Sequence, residues 1–440
     1  MVSTVAIREY GLLGRVGAKL DQPNCIDLAY IPDTAWDWLL RETCGDFENV
    51  RLVRPVKKEG LLYLQVLNYV GVVRTPCGCT IEVLPKTTTG VNERDLSKER
   101  SLLLKMLNRV FSLNLKELEL TDLQLAKRPL PEILVNLFLV QVKDLVKRGV
   151  RSDYISVKAE APYLRGRLRI ESQLRQRAGR DHFFSIEYDD FIPDRPENRL
   201  IHSSLKKSLA WIASVSNRKL ARELIFAFED IPVSRNYSGD FLKWQSDRNM
   251  ILYRGLKPWC QLILGQQTPF SISGSHFGQS FLFPMNELFE KYVAAVLRRQ
   301  IQQGLQLKEQ ASSRHLVQNH NDQKLFQLRP DILILDGGSP KTLLDCKWKI
   351  LDQTGNSDTS IYKKKYGIQQ SDLYQLYAYG KKYLNGSGCM YIVHPRHQAF
   401  KEPLDDFQFD ENLRLRVIPF DLDADQLVVD RDGFESWLDA

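Results

Sequence analysis

The stretch LRPDILILDGGSPKTLLDCKWKIL, Leu328 to Leu351, decides the fold. Two apolar runs flank a Gly-Gly pair. Each carries charge where a buried strand tolerates none: Asp331 ahead of ILIL, and Asp345 and Lys347 inside LLDCKWKI. Read as a hairpin with a five-residue loop, Asp336 to Pro340, the register pairs Leu335 with Lys341 and sets Asp331 opposite Asp345. Directly opposed residues share one face of a sheet. Lys347, two residues beyond Asp345, shares that face too. Two opposed carboxylates repel each other in a bare sheet, and a divalent cation between them removes the conflict. Mg2+ prefers octahedral oxygen ligands, keeps several waters and takes one or two protein carboxylates. It acidifies a bound water and stabilises charge on a phosphate. A lysine beside it orients the nucleophile or neutralises the transition state, which is chemistry for hydrolysing a phosphodiester. The same three residues also suit an ordinary hairpin with charges on its edge or solvent face, and spacing alone does not separate the two readings.

The flanking helices bear on that choice. In the preceding PMNELFEKYVAAVLRRQIQ, Met285, Phe289, Val293 and Val296 form the apolar stripe. At 100° per residue Glu287 falls nearly opposite the stripe, while Glu290 lies on its flank and is better placed to reach an interior site. A solvated face is preferred for Glu287 and stays open for Glu290. In the following SDLYQLYAYGKKYL, Gln375 and Tyr379 stand at i and i+4 on one face, where an amide and a phenol can steady a phosphate or a metal-bound water. The alternative is an amphipathic helix with Tyr374, Tyr377 and Tyr379 partly buried. The run Lys363, Lys364 and Lys365 between tyrosines suits a DNA backbone, although most such runs are simply solvated.

Across the 440 residues, 43% are hydrophobic and 26% charged, so the chain is ordinary globular material, long enough for two or three domains. The net charge of +7 permits nucleic-acid binding without demanding it. Seven scattered cysteines without a CxxC argue for a reducing cytoplasm. Cys77 and Cys79, in TPCGCT, lack a second pair at zinc spacing and read as thiols at a turn. No signal peptide and no membrane span are expected. Residues 1–95 read as short strands forming a small β-rich domain. Residues 96–275 read as a mostly helical middle region, with a short β and Arg-rich segment around LRGRLRIESQLRQR. Residues 276–440 alternate helix, strand, strand, loop, helix and strand, which implies a mixed-sheet α/β domain. The fold class is therefore a multidomain α+β and α/β chain.

Glu in a first helix, Pro330-Asp331, Asp345-Cys346-Lys347 and Gln375 to Tyr379 resemble the PD-(D/E)xK (restriction-endonuclease-like) nuclease pattern. More closely, the chain resembles the McrC family, the nuclease subunits of McrBC modification-dependent restriction systems. The resemblance is carried by IEVLPK (81–86), LRGRL (164–168), PENRLIHSSLKKSL (196–209), FPMNELFEKYV (283–293), LRPDILI (328–334), LLDCKWK (343–349) and DLYQLYAYGKKY (372–383), in the family's order. It implies a Mg2+-dependent DNA endonuclease, with Mn2+ as the substitute ion, that cleaves DNA carrying methylated cytosine in phage defence. It carries over Asp331, Asp345 and Lys347 as the catalytic core, the two aspartates as metal ligands, and Glu290 and Gln375 as supports. It does not say which of Glu287 and Glu290 matters.

No GxxxxGK[ST] occurs, so no nucleotide is expected on this chain. The resemblance instead implies a separate McrB-like AAA+ ring that hydrolyses GTP, which residues 1–95 would contact and this chain would stimulate. Arg165 and Arg167 would serve DNA or that partner, and a charged surface turn with Gly166 at positive φ is the plainer reading. His394 and His397 suit a loop after the last strand better than a metal. Two other classes remain: a non-catalytic DNA-binding assembly protein of an AAA+ complex, and a standalone repair or mobile-element nuclease.

Overall fold

The structure is a computed structural model that describes residues 4–18, 25–44, 52–87, 93–113, 128–176, 179–180, 182–245, 250–265, 281–351 and 366–429. It divides into two compact units, residues 1–127 with 274–440, and residues 128–273.

In the first unit the Val-, Leu- and Tyr-rich segment forms the expected short strands: β1 (Thr4–Arg8), β2 (Leu12–Arg15), β3 (Leu28–Ile31), β4 (Val53–Lys58), β5 (Leu61–Val66), β6 (Tyr69–Arg74) and β7 (Thr80–Leu84). One sheet has the order β3-β2-β5-β4. Thr75 to Cys79 turns the chain between β6 and β7, with the Thr75 hydroxyl donating to the Cys79 carbonyl (3.1 Å). Helix α1 (Asp33–Cys44) departs from the all-strand expectation. Its buried stripe, Ala35, Trp36 and Leu39, is too short to stand out in sequence. Helix α2 (Glu93–Phe111) is tied to the strands by a buried bidentate pair, Arg100 to Glu82 of the IEVLPK motif (both 2.7 Å). Lys105 and Arg109 of α2 meet Asp425 at 2.6 and 3.2 Å. Residues 96–111, expected with the middle region, thus pack within the first unit.

The second unit is built from α3 (Leu130–Arg148), β8 (Asp153–Ala161), β9 (Arg167–Leu168), α4 (Ile170–Leu174), β10 (Phe184–Ile192), α5 (Pro196–Ser208), α6 (Val215–Ala227), α7 (Tyr237–Lys243) and α8 (Ile251–Leu264). The motif PENRLIHSS is a structural knot here. Pro196 opens α5, where a missing N–H costs nothing. The buried Asn198 amide donates to the carbonyls of Arg151 (2.9 Å) and Pro193 (2.8 Å) and accepts from the Tyr253 hydroxyl (2.8 Å).

Chain 281–429 returns to the first unit. Strand β11 (Phe281–Pro284), expected to lie in the C-terminal domain, pairs with β6 and completes the order β1-β7-β6-β11. Helix α9 (Met285–Leu297) buries the predicted stripe, Met285, Phe289, Val293 and Val296. The main sheet follows: β12 (Leu305–Glu309), β15 (Ile332–Asp336), β16 (Ser339–Cys346), β17 (Gly388–Pro395) and β19 (Leu413–Asp421), with β18 (Phe407–Gln408) and β20 (Gln426–Leu427) at its far edge. A separate hairpin, β13 (Arg314–His320) with β14 (Gln323–Leu328), rises between β12 and β15. β12, β15 and β16 are antiparallel, while β16, β17 and β19 are parallel, which gives the expected mixed α/β sheet. Helix α10 (Gln370–Tyr383) sits in the parallel crossover and packs Leu376, Tyr379 and Tyr383 onto Leu333, Leu343, Ile392 and Leu415. Gly380 permits that approach, since a Cβ there would meet Met390 Sδ at 2.7 Å.

Two strand readings need correction. FQLRPDILIL is not one strand: it splits at Arg329 to Asp331, with β14 in the separate hairpin and β15 in the main sheet. The turn after β15 is not a five-residue loop. Gly337 and Gly338, with φ of 54° and 86°, make a two-residue turn, and Asp336 pairs with Ser339. A bulge between Ile334 and Leu335 then makes Lys341 the extra residue and sets Pro340 opposite Leu335, at a place where a strand tolerates proline. Beyond the bulge the register is the predicted one, Ile334 with Thr342 and Ile332 with Leu344. Continued by one residue, it brings Asp331 opposite Asp345.

Candidate active site

The site forms where the parallel strand β16 gives out. Open α/β sheets place ligands at the carboxyl ends of such strands. Leu343 belongs to the α10-facing cluster, so Asp345, two residues on, points to the same side. Lys347 has left the strand, and its N–H donates to the Val393 carbonyl of β17 (2.9 Å). Its ammonium lies 2.9 Å from Asp345 Oδ2 and 3.7 Å from Asp372 Oδ1. The Asp345 oxygen is fully buried. Lys347 stands at ion-pair distance, and among the described residues no donor other than that ammonium meets the oxygen.

Asp331 Oδ2 accepts from the Cys346 N–H (2.8 Å), which pins the two strand ends together. Gln310 joins the carboxylates. Its backbone N–H donates to the Asp331 carbonyl (2.9 Å), and its amide reaches Glu290 Oε1 (2.6 Å) and Asp331 Oδ1 (3.3 Å). Gln310 holds a left-handed φ of 46°, a conformation a non-glycine residue rarely adopts. Of the two candidate glutamates, Glu290 is the one this amide links to Asp331.

The electrostatics follow from this crowding. Burial, then the charges of Asp345 and Glu290, push the Asp331 carboxyl up to about 8. Burial also raises Asp345, against the pull of Lys347, and raises Glu290, with Glu287 and Asp345 adding to it. Burial works to lower the Lys347 ammonium, but Asp345, Asp372 and Asp331 outweigh it and hold the lysine protonated.

Helix α10 steadies the rim. The Gln375 amide donates to the Tyr379 hydroxyl (2.6 Å), which donates to the Arg329 carbonyl (3.0 Å), two residues before Asp331. Tyr379 is only 3% exposed, so it fixes the Arg329–Asp331 segment instead of presenting the hydroxyl to a DNA strand as expected. Gln375 is exposed. Arg165 and Arg167 lie in the second unit on either side of Gly166, whose φ is +70°. Arg165 stacks over Tyr188 (4.1 Å) and lies 3.4 Å from Asp190, while Arg167 pairs across the strands with Glu187. Lys363, Lys364 and Lys365 lie outside the described residues. His394 is buried inside β17 rather than in a loop, its ring bonded to the Lys349 carbonyl (3.0 Å) and its pKa lowered to about 4 by burial. His397 lies in the turn after β17.

Sequence reasoning passed over three participants. Asp372 stands three residues before Gln375 on the same helical face, and that spacing was the available signal. Gln310 gave none, being one polar residue after a strand. The third is Glu9, just past β1: it accepts from the Trp348 indole (2.5 Å), next to Lys347, and from the Lys86 N–H (2.9 Å).

The donor set suits a hard divalent cation. Three clustered carboxylates are held above their ordinary range by burial and mutual repulsion, and one buried oxygen has only a cation beside it. Among the described residues no three His, Cys, Asp or Glu side chains form a group that could hold a metal ion by themselves. An ion that takes one or two carboxylates and keeps its waters needs no such group.

The chain resembles solved structures of one kind. A chain of the Thermococcus gammatolerans half-complex of McrB AAA+ hexamers with bound McrC matches at 20% identity and a TM-score of 0.66, over 95% of each chain. A chain of the Thermococcus gammatolerans McrBC complex matches at 22% identity and a TM-score of 0.50, over 68% of this chain and 88% of that one. At these identities the likeness is one of fold. No curated protein matches. The family described as McrBC 5-methylcytosine restriction system component matches residues 64–395, well over half the chain and including Glu290, Asp331, Asp345 and Lys347. The chain therefore belongs to the McrBC family of 5-methylcytosine restriction system components.

Proposed function

We propose that this chain is the nuclease subunit of a McrBC-type restriction complex, a Mg2+-dependent endonuclease with a PD-(D/E)xK site that cleaves DNA containing methylated cytosine. The observation that carries the reading is the cluster of Glu290, Asp331 and Asp345 with Lys347 against it. Asp331 and Asp345 would hold the cation, with Glu290 joined to them through Gln310. When bound, that cation supplies a more acidic water and neutralises charge on the scissile phosphate. Lys347, kept protonated by Asp345 and Asp372, donates to an oxygen of the phosphate or the attacking water as negative charge grows. The Cys346 N–H and the Gln310 amide orient the two Asp331 oxygens. Gln375 and Tyr379 hold the Arg329–Asp331 segment in place, and the exposed Gln375 is free to meet a phosphate. Within this reading the GTP-hydrolysing partner is an McrB-like AAA+ ring, which the chain stimulates and which reads the modified DNA. The McrB-bound assemblies of similar fold support that partner.

The test is cleavage of methylated plasmid with Mg2+, with and without the neighbouring AAA+ protein and GTP. Cleavage that needs both and disappears in Asp345→Ala supports the proposal. Cleavage by the chain alone supports a standalone nuclease. Equal cutting by the variant refutes the site.

A further inference from the structure

The hairpin β13–β14 is an odd piece of architecture. No residue of either strand is buried. A lone two-stranded ribbon is marginal in water, and the bonds that anchor this one lie at its root. The Tyr383 hydroxyl bonds the carbonyls of Ala311 (2.7 Å) and Leu328 (3.0 Å), Tyr379 bonds that of Arg329 (3.0 Å), and the Gln327 amide bonds that of Ser312 (2.8 Å). Both feet belong to the site: Gln310 lies just before the ribbon and Asp331 just after it. A phosphate at Asp331 and Asp345 therefore brings its duplex alongside this ribbon.

The ribbon's chemistry suits that neighbour. Its seven-residue first strand reaches about 20 Å, at roughly 3.3 Å per residue. The major groove of B-DNA admits a two-stranded ribbon. Residues 314–329 carry Arg314, Lys324 and Arg329 against one carboxylate, Asp322, and are rich in amides such as Gln318 and Asn319, which pair with adenine edges. Arg314 and Lys324 form no ion pair among the described residues. Phe326 adds an independent sign. It is 70% exposed and holds a left-handed φ of 56°, so the fold accepts backbone strain to present a ring that packs on nothing in the core.

We propose that the β13–β14 ribbon is a DNA-contacting element of the nuclease, entering the major groove beside the cut, with Arg314 and Lys324 on the backbone and Phe326 against the bases. It rests on the nuclease reading, and it gives this chain a share in DNA recognition.

The test uses the full chain and fluorescein-labelled duplex DNA, read by anisotropy over a salt series, with plasmid cleavage in parallel. Arg314→Ala with Lys324→Ala should weaken binding about tenfold and lower the slope of log K against log salt by about 2. Phe326→Ala should weaken it about tenfold with the slope unchanged. Phe326→Gly, which relieves the backbone and also removes the ring, should bind as weakly as Phe326→Ala while unfolding no earlier than wild type, so that misfolding is not the cause. Wild-type affinity and salt slope in all variants overturn the inference. So does intact DNA binding with lost stimulation of the AAA+ partner's GTP hydrolysis, which assigns the ribbon to a protein. If wild type binds but never cuts, while the variants lose binding, the ribbon stands and the nuclease reading falls.

Discussion

Two buried acidic sites in this molecule differ in a way that separates structure from chemistry. In the second unit Glu132 is buried, and every need of its carboxylate is met. It accepts from the N–H groups of Ala213 and Ser214, from the Ser214 hydroxyl (3.0 Å) and from the Asn217 amide (2.8 Å), and so holds Ser214, the N-cap residue of α6, in place. In the first unit Asp331, Asp345 and Glu290 are crowded together with too few donors, and burial raises all three. A buried carboxylate with a full set of donors is part of the scaffold. A group of buried carboxylates left repelling one another is tolerated only where something else arrives to meet them.

The sharpest attempt to break that contrast is to neutralise one member of each site. Lys347→Met should cut the rate of plasmid cleavage by about 10²–10³-fold, the usual cost of losing one transition-state donor, without lowering divalent-cation affinity. Glu132→Ala should do the reverse. It strands the Ala213 and Ser214 amides ahead of α6 and should destabilise the second unit by about 3 kcal/mol in urea unfolding, while the cleavage rate per folded molecule is unchanged. If Glu132→Ala abolished cleavage in folded protein, the division between the two sites would be lost.

Glu9 lies between the two cases. Burial, with Glu99 adding to it, pushes its carboxyl up to about 7, against the donors Lys86 and Trp348. A folded pKa above the unfolded one means a contribution that is full below about 4.5 and is lost as pH rises through about 7. Glu9→Gln should therefore gain stability on wild type across that window, by about 3 kcal/mol at its upper end. Urea unfolding at a series of pH values measures it, and a difference that does not change with pH would contradict the assignment. The smallest effect should come from Gln310→Ala, which leaves the ligands in place but releases Glu290 from Asp331. Cation affinity should fall about tenfold, as for other groups that orient ligands, and titration with Mn2+ reads it directly.

Much of this was legible in the sequence. The register that sets Asp331 opposite Asp345 followed from period-two geometry, and it holds from Ile334–Thr342 to Ile332–Leu344 because the bulge at Lys341 absorbed the error near the Gly-Gly end. Helices α3, α9 and α10 announced themselves by long apolar stripes. Other features could not be read. The Glu9–Trp348 contact joins residues 339 positions apart, and no local pattern encodes it. Strand β11 pairs with β6 across the whole second unit of the chain. Gln310 acts through a left-handed backbone that only the folded chain imposes. The ribbon was hidden because its strands bury nothing, so they lack the apolar alternation by which a strand is recognised. The motifs IEVLPK and PENRLIHSS stood out as family signatures. The structure shows them to be buried knots, Glu82 with Arg100 and Asn198 with Tyr253.

The central claim is that the buried carboxylates of the first unit await a divalent cation. Thermal unfolding of the full chain with and without Mn2+, for wild type and Asp345→Asn, tests it most directly. The account predicts that the ion raises the unfolding temperature of wild type, by the equivalent of about 2.7 kcal/mol at a hundredfold excess over Kd, and leaves Asp345→Asn unmoved. It also predicts that the metal-free variant unfolds later than metal-free wild type, because one repelling charge is gone. An equal rise in both proteins, or none in wild type, would contradict it.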